Sequence, residues 1–151
     1  MHEYYEEAPR KIPVLGESDV LVCGGGPSGV AAAIEASRLG LRVTLVERYG
    51  FLGGTATAGL IPTLFRRPDH GIYREILFRL KNLGGVYYFQ PDDMWAGTPF
   101  TPVTYEECIG IDNHLLKLVL DEMVRESGIN VMFHTLVVDA IAQDGNMHGV
   151  V

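Results

Sequence analysis

An α/β fold built on a parallel sheet follows from three features of this 151-residue chain. A short apolar run, Val20-Leu21-Val22-Cys23, enters a glycine-rich turn and then an alanine-rich segment, Val30 to Leu39. A second apolar run, Arg42 to Val46, ends at Glu47, and a third, Asn130 to His134, follows an amphipathic stretch closed by glycine. Short apolar runs alternating with helical patterns are the signature of βαβ units, whose strands are parallel. A β-hairpin is expected after them, at the C-terminal end.

Residues 1–17 read as an N-terminal arm, polar and acidic at first, then Lys11-Ile12-Pro13-Val14-Leu15. Pro13 makes that piece a poor central strand. The domain proper is expected over 18–151. Its first strand reads as buried, Cys23 included. Glycines 24, 26 and 29 follow it as GxGxxG, placed between strand and helix as that motif requires. Gly24 permits the tight turn, Gly26 lets backbone approach a pyrophosphate, and Gly29 lets helix and strand pack closely. The helix start then faces the phosphates with free N–H groups and the positive end of its dipole. Gly40 ends the helix. Glu47 lies about 20 residues past the glycines, at the end of the second strand, where an acid accepts from a ribose hydroxyl. The motif by itself admits any dinucleotide.

Arg48 to Gly59 is rich in glycine and threonine. Gly53 and Gly54 can present bare N–H groups, with hydroxyls from Thr55 and Thr57, as a second cradle for a long ligand. Arg66 and Arg67 read as a solvated basic turn or as contacts to an anion. Asp69 is the expected N-cap of a packing helix with the stripe Ile72, Ile76, Leu80 and Leu83, widened by Tyr73, Leu77 and Phe78 and closed by Gly84-Gly85. Residues 86–110 read as an irregular loop carrying Tyr87, Tyr88, Phe89, Trp95, Phe100 and Tyr105, suited to a substrate pocket or a domain contact. Asp112 is the expected cap of a second strong helix with Leu115, Leu116, Val119, Leu120, Met123 and Val124 on one face. The third parallel strand follows. Leu136 to Ala142 and Met147 to Val151 then form the hairpin around Asp144-Gly145-Asn146.

The composition bounds the function. A formal charge of −7 with no Lys/Arg run argues against nucleic acid and anionic membranes as partners. No apolar run approaches the ~18 residues of a membrane span. The five histidines and two cysteines show no metal-ligand spacing, and GxSxG, HExxH and P-loop motifs are missing, so no metal site is expected and no catalytic residue can be named. Cys108 reads as a loop cysteine, with a reactive thiol as the alternative. Two cysteines outside any CxxC, and no basic-then-apolar leader, fit a soluble cytoplasmic protein.

The run DVLVCGGGPSGVAAAIEASRLGLRVTLVERYGFLGGTAT resembles the opening of FAD-dependent oxidoreductases with the glutathione-reductase-type flavin fold. It is most similar to the bacterial group related to the thiazole synthase and fumarate reductase flavoproteins. The resemblance implies a Rossmann-like, three-layer FAD/NAD(P)-binding fold with FAD as cofactor. It implies that Gly24, Gly26, Pro27, Ser28 and Gly29 hold the pyrophosphate, and that Glu47, beside Arg48, holds the adenosine ribose. Gly53, Gly54 and Thr55 would run along the pyrophosphate and ribityl chain, and the Val137 backbone would meet the adenine. The ERxGxxGGT element favours FAD over NAD. The domain would continue past Val151, so the chain reads as the truncated N-terminal portion of a flavin-dependent oxidoreductase acting on an unidentified small molecule. Its open sheet edge would favour self-association or association with the missing C-terminal part. Two other readings stand beside this one: an NAD-dependent dehydrogenase domain, and a non-catalytic nucleotide-binding or assembly module.

Overall fold

The structure is a computed structural model that describes residues 3–4, 8–9, 11–65, 70–87 and 108–151. The first sheet is parallel, in the order β1-β2-β6, with β1 at Val20–Cys23, β2 at Val43–Val46 and β6 at Asn130–Met132. Val20 pairs with Val43, Cys23 with Val46, and Val46 with Met132. Helix α1, Pro27–Arg38, makes the crossover between β1 and β2 and buries Val30, Ala33 and Ile34. The central strand β2 buries Val43, Leu45 and Val46.

β1 departs from expectation. Its residues alternate in exposure: Val20 and Val22 pack on the core, while Leu21 and Cys23 are exposed. An apolar run implies burial on both faces only if both faces are covered. Among the described residues β1 borders β2 alone, and the core lies against one of its faces.

Helix α2, Gly71–Asn82, turns Ile72 and Leu80 inward, while Phe78 and Leu83 stay exposed. The expected cap Asp69 lies outside the described residues, and the N-cap position is His70. Helix α3, Asn113–Glu126, packs against both α1 and α2 and buries Leu116, Val119, Leu120, Met123 and Val124. Arg79 reaches Glu126 at 2.6 Å and Glu75 at 2.9 Å, and Arg38 reaches Glu75 at 2.7 Å, joining the three helices at their rims.

Asp112 caps α3 as expected, its Oδ1 accepting from His114 N at 2.8 Å and Leu115 N at 2.9 Å. The Leu115 bond above all holds its carboxyl below the usual aspartate range. The cap is therefore at full strength above the ordinary aspartate pKa of about 3.9, and is lost as pH falls through the lowered folded-state value. Asp112→Ala should cost about 1 kcal/mol, a fall of about 2–4 °C in Tm by thermal melt at neutral pH. The difference from wild type should vanish in acid.

A second sheet was not legible. The strands β3 (Thr63–Phe65), β5 (Cys108–Ile111) and β4 (Val86–Tyr87) form an antiparallel sheet in the order β3-β5-β4. Thr63 pairs with Gly110 and Val86 with Ile111, so both ends of the segment expected to be an irregular loop are strands. Gly110 leaves room for the Tyr87 ring, which an added Cβ would approach to 2.2 Å and have to displace. Residues 88–107, with most of the expected aromatic wall, lie outside the described residues, as do Arg66 and Arg67. The expected hairpin is present as β7 (Ala140–Gln143) and β8 (Asn146–Val150), its first strand starting at Ala140 where Leu136 was expected. Its turn is the two residues Asp144 and Gly145, with φ of 52° and 78°, as a type I′ turn demands. Asn146 already belongs to β8.

Candidate functional site

The turn from β1 into α1 is shaped by its three glycines in different ways. Gly24 holds φ +112° and donates its N–H to Val46 O at 2.8 Å, tying the turn to β2. Gly29 sits so close to that turn that an added Cβ would lie 1.9 Å from Gly24 O. At Gly26, the N-cap of α1, an added Cβ would meet nothing within 4 Å. No side chain caps the helix, and Pro27 at its first position has no N–H to satisfy. The N–H groups of Ser28 and Gly29, in the first turn of the helix, have no intrahelical acceptors. Tight packing on one side and open space on the other are what a phosphate-binding helix start requires.

Glu47 follows β2 and is buried. Its backbone joins β6, with N–H to Met132 O at 2.9 Å and its carbonyl accepting from Thr135 N at 3.0 Å. Its side chain turns toward the glycine turn: Oε2 accepts from Gly25 N at 2.6 Å and Oε1 from Tyr49 N at 2.8 Å. The carboxylate thus has a structural task that the spacing argument did not foresee. These two bonds use about two of its roughly four lone-pair sites.

Beside it lies a cleft of ≈ 340 Å³ lined by Cys23, Gly24, Val46, Glu47, Arg48, Thr135, Leu136 and Val137. Four expected site residues meet there from three distant parts of the chain: Gly24, Glu47, Arg48 and Val137. Cys23, Val46, Thr135 and Leu136 were not foreseen as lining residues. Cys23 is exposed here, where a buried strand residue was expected, and its place just before Gly24 was the available clue. The segment after β6 is turned into the cleft at His134, a non-glycine residue at φ 53°. Its ring lies on Gly50, where an added Cβ would be 2.8 Å away.

The second glycine-rich loop lies directly on the first. Gly53 N donates to Gly25 O at 2.8 Å, and a Cβ on Gly54 would come within 2.9 Å of Gly26 Cα. The two expected cradles are therefore contiguous. Two expected donors are nonetheless spent inside the protein: the Gly53 N–H on Gly25, and the buried Thr57 hydroxyl on Leu52 O at 2.6 Å. Gly54 and Thr55 begin a 3-10 turn, Gly54–Ala56, and Thr55 is exposed. At the loop's entry Arg48 lies over the Tyr49 ring at 4.7 Å, Tyr49 stacks on Phe51 at 5.7 Å, and Lys117 Nζ lies 3.8 Å from the centre of Phe51. Among the described residues no three metal-ligating side chains come together, and no helix is long and apolar enough to cross a membrane.

The chain is similar to several known proteins. Among solved structures, THI4 of Thermovibrio ammonificans superposes with a TM-score of 0.53 at 23% identity, covering 87% of this chain and 45% of its own. A geranylgeranyl bacteriochlorophyll reductase-like protein of Thermoplasma acidophilum gives 0.57 at 21% identity, over 88% of this chain and 34% of its own. These likenesses carry the fold alone, a Rossmann-like α/β domain. Among curated proteins, dihydrolipoyl dehydrogenase 1 of Arabidopsis thaliana is 44% identical over 69 residues, 45% of this chain. The leghemoglobin reductase of Vigna unguiculata is 45% identical over the same length. The matched part spans only 14% and 13% of those two proteins. The family described as FAD dependent oxidoreductase matches residues 19–151, nearly the whole chain. On that match the chain belongs to the FAD dependent oxidoreductase family, whose cofactor is FAD.

Proposed function

We propose that this chain holds the ADP half of FAD, as the N-terminal cofactor-binding portion of a flavin-dependent oxidoreductase. The observation that carries the reading is the convergence of Gly24, Glu47, Arg48 and Val137 on one cleft, next to the uncapped start of α1. In this reading the N–H groups of Ser28 and Gly29, with the open space at Gly26 and the ring of Pro27 at the helix start, take the pyrophosphate. Glu47 accepts from the adenosine ribose, and Val137 lines the adenine side with Arg48. Gly54 and Thr55, with Gly53 shaping the turn, carry the cradle toward the ribityl chain. FAD, when bound, supplies hydride and electron transfer, while the protein orients it and sets its electrostatic surroundings. The substrate is an unidentified small molecule. The exposed strand residues Leu21 and Cys23 support association of this segment with the rest of a longer protein or with a second copy. Two cysteines outside any CxxC support a cytoplasmic setting.

Calorimetric titration with FAD, NADH and ADP tests the reading. FAD is expected to bind most tightly, with ADP retaining a large share of the affinity. Preference for NADH would instead favour a dehydrogenase domain. ADP binding equal to that of FAD would favour a non-catalytic nucleotide module. Failure to bind any of the three would overturn the proposal.

A further inference from the structure

The loop at 53–61 contains only one 3-10 turn, yet its placement decides where Gly54 and Thr55 point. Thr57 braces it from within, and Gly53 fastens it to the first glycine turn. A third tie comes from α3, far away in sequence. Asn113 Nδ2 donates to the carbonyl oxygens of both Ala56 and Ile61, the latter at 3.1 Å. Ala56 ends the 3-10 turn, where carbonyls lack intrahelical partners. Ile61 lies where the chain leaves the loop, so one side-chain amide pins both ends of 56–61. Both acceptors are carbonyls, which fixes the amide's orientation: only its NH₂ side can serve them.

The element carrying Asn113 is itself firmly held. Asp112 caps the helix immediately before it, and Leu116, Val119 and Leu120 are buried just beyond. Lys117, one turn further along, places its ammonium on Phe51, so the same strip of α3 touches the loop's entry as well. The Asn113 side chain makes these two bonds to the loop, while capping of α3 is left to Asp112.

We propose that Asn113 is a positioning residue for the cofactor. It acts through the Ala56 and Ile61 carbonyls to hold Gly54 and Thr55 in place for the part of FAD beyond its ADP moiety. The inference rests on the reading of residues 53–55 as the second cradle. It predicts a split between ligands, because ADP ends before that part of the site.

Wild type, Asn113→Ala and Asn113→Asp are titrated calorimetrically with FAD and with ADP, and their Tm values are recorded. Loss of two ordinary hydrogen bonds should weaken FAD binding by Asn113→Ala about tenfold while leaving ADP within about twofold. Asn113→Asp, which sets an acceptor against two carbonyls, should weaken FAD further. Unchanged FAD affinity in Asn113→Ala overturns the inference. So does a fall in FAD and ADP affinity together, in step with Tm, since that is the mark of a general structural role. A wild-type chain that binds FAD no more tightly than ADP removes the second cradle itself, and this inference with it.

Discussion

Gly29→Ala is expected to lower both stability and cofactor affinity, whereas Gly26→Ala should lower affinity alone. At position 29 the new methyl would lie 1.9 Å from Gly24 O and 3.4 Å from Val22 Cγ1. The obstacle at 1.9 Å is backbone, so no side-chain rotation relieves it, and the start of α1 must shift by about 1 Å. Overpacking of this kind costs about 1–3 kcal/mol, offset by at most about 1 kcal/mol from the better helix propensity of alanine. A net loss of about 1–2 kcal/mol lowers Tm by about 2–8 °C. The same shift carries the Ser28 and Gly29 N–H groups away from the proposed phosphate position. Losing two charge-assisted hydrogen bonds weakens FAD binding by about 100-fold or more. At position 26 the backbone is extended, with φ −68°, and a methyl meets nothing. Stability should therefore stay within about 1 kcal/mol of wild type. The methyl would instead occupy the space proposed for the pyrophosphate, and FAD affinity should fall at least about tenfold. Thermal melts and calorimetry on the two variants separate the roles. Equal affinity of Gly26→Ala and wild type for FAD would contradict the assignment of that space.

The parts of this fold that could be read from sequence are those specified within a few residues. The run from Val20 to Glu47 combines strand, glycines, helix and acid in fixed spacing, and each position has a local physical reason. The Asp112 cap and the Asp144-Gly145 turn are equally local. What escaped the sequence depends on partners far along the chain. The strand β4 has two residues and β3 three, too short for a period to register, and their pairing with β5 is set by contacts such as Tyr87 on Gly110. Cys23 was misjudged because an apolar run does not tell which face of a sheet the protein covers.

The site divides in the same way. Glycines 24 and 29 could be assigned separate duties, since positive φ at the first and close approach at the second leave few alternatives to glycine. Thr57 and Gly53 looked like donors, but a sequence does not tell whether a hydroxyl or an N–H is already satisfied within the protein. The tie from Asn113 to Ala56 and Ile61 had no signal at all, because the first position of a helix accepts asparagine for ordinary reasons. The alignment of Val137 with Glu47 across the cleft came from the resemblance, not from any local pattern.

Glu47→Gln should separate what this side chain does for the fold from what it does for the ligand. Both carboxylate oxygens accept from backbone N–H groups, Gly25 at 2.6 Å and Tyr49 at 2.8 Å, in a buried setting. Glutamine keeps the shape but replaces one acceptor with a donor, so one of these N–H groups must face an NH₂. Loss of a hydrogen bond to a charged group costs about 1.5–3 kcal/mol, a fall of about 3–12 °C in Tm. Where the lost bond is that of Gly25, which ties the first turn to the end of β2, the mouth of the cleft loosens as well. The amide's one oxygen still accepts from the other N–H and keeps about one lone-pair site for a ribose hydroxyl, and FAD affinity should fall about 10- to 100-fold. ADP affinity should fall by the same factor, because both ligands carry the ribose that Glu47 is proposed to hold. That equality distinguishes Glu47 from Asn113, whose variants should affect FAD and spare ADP. Wild-type ADP affinity in Glu47→Gln, alongside a lowered Tm, would leave the carboxylate as a brace for the turn and remove it from the ligand contacts.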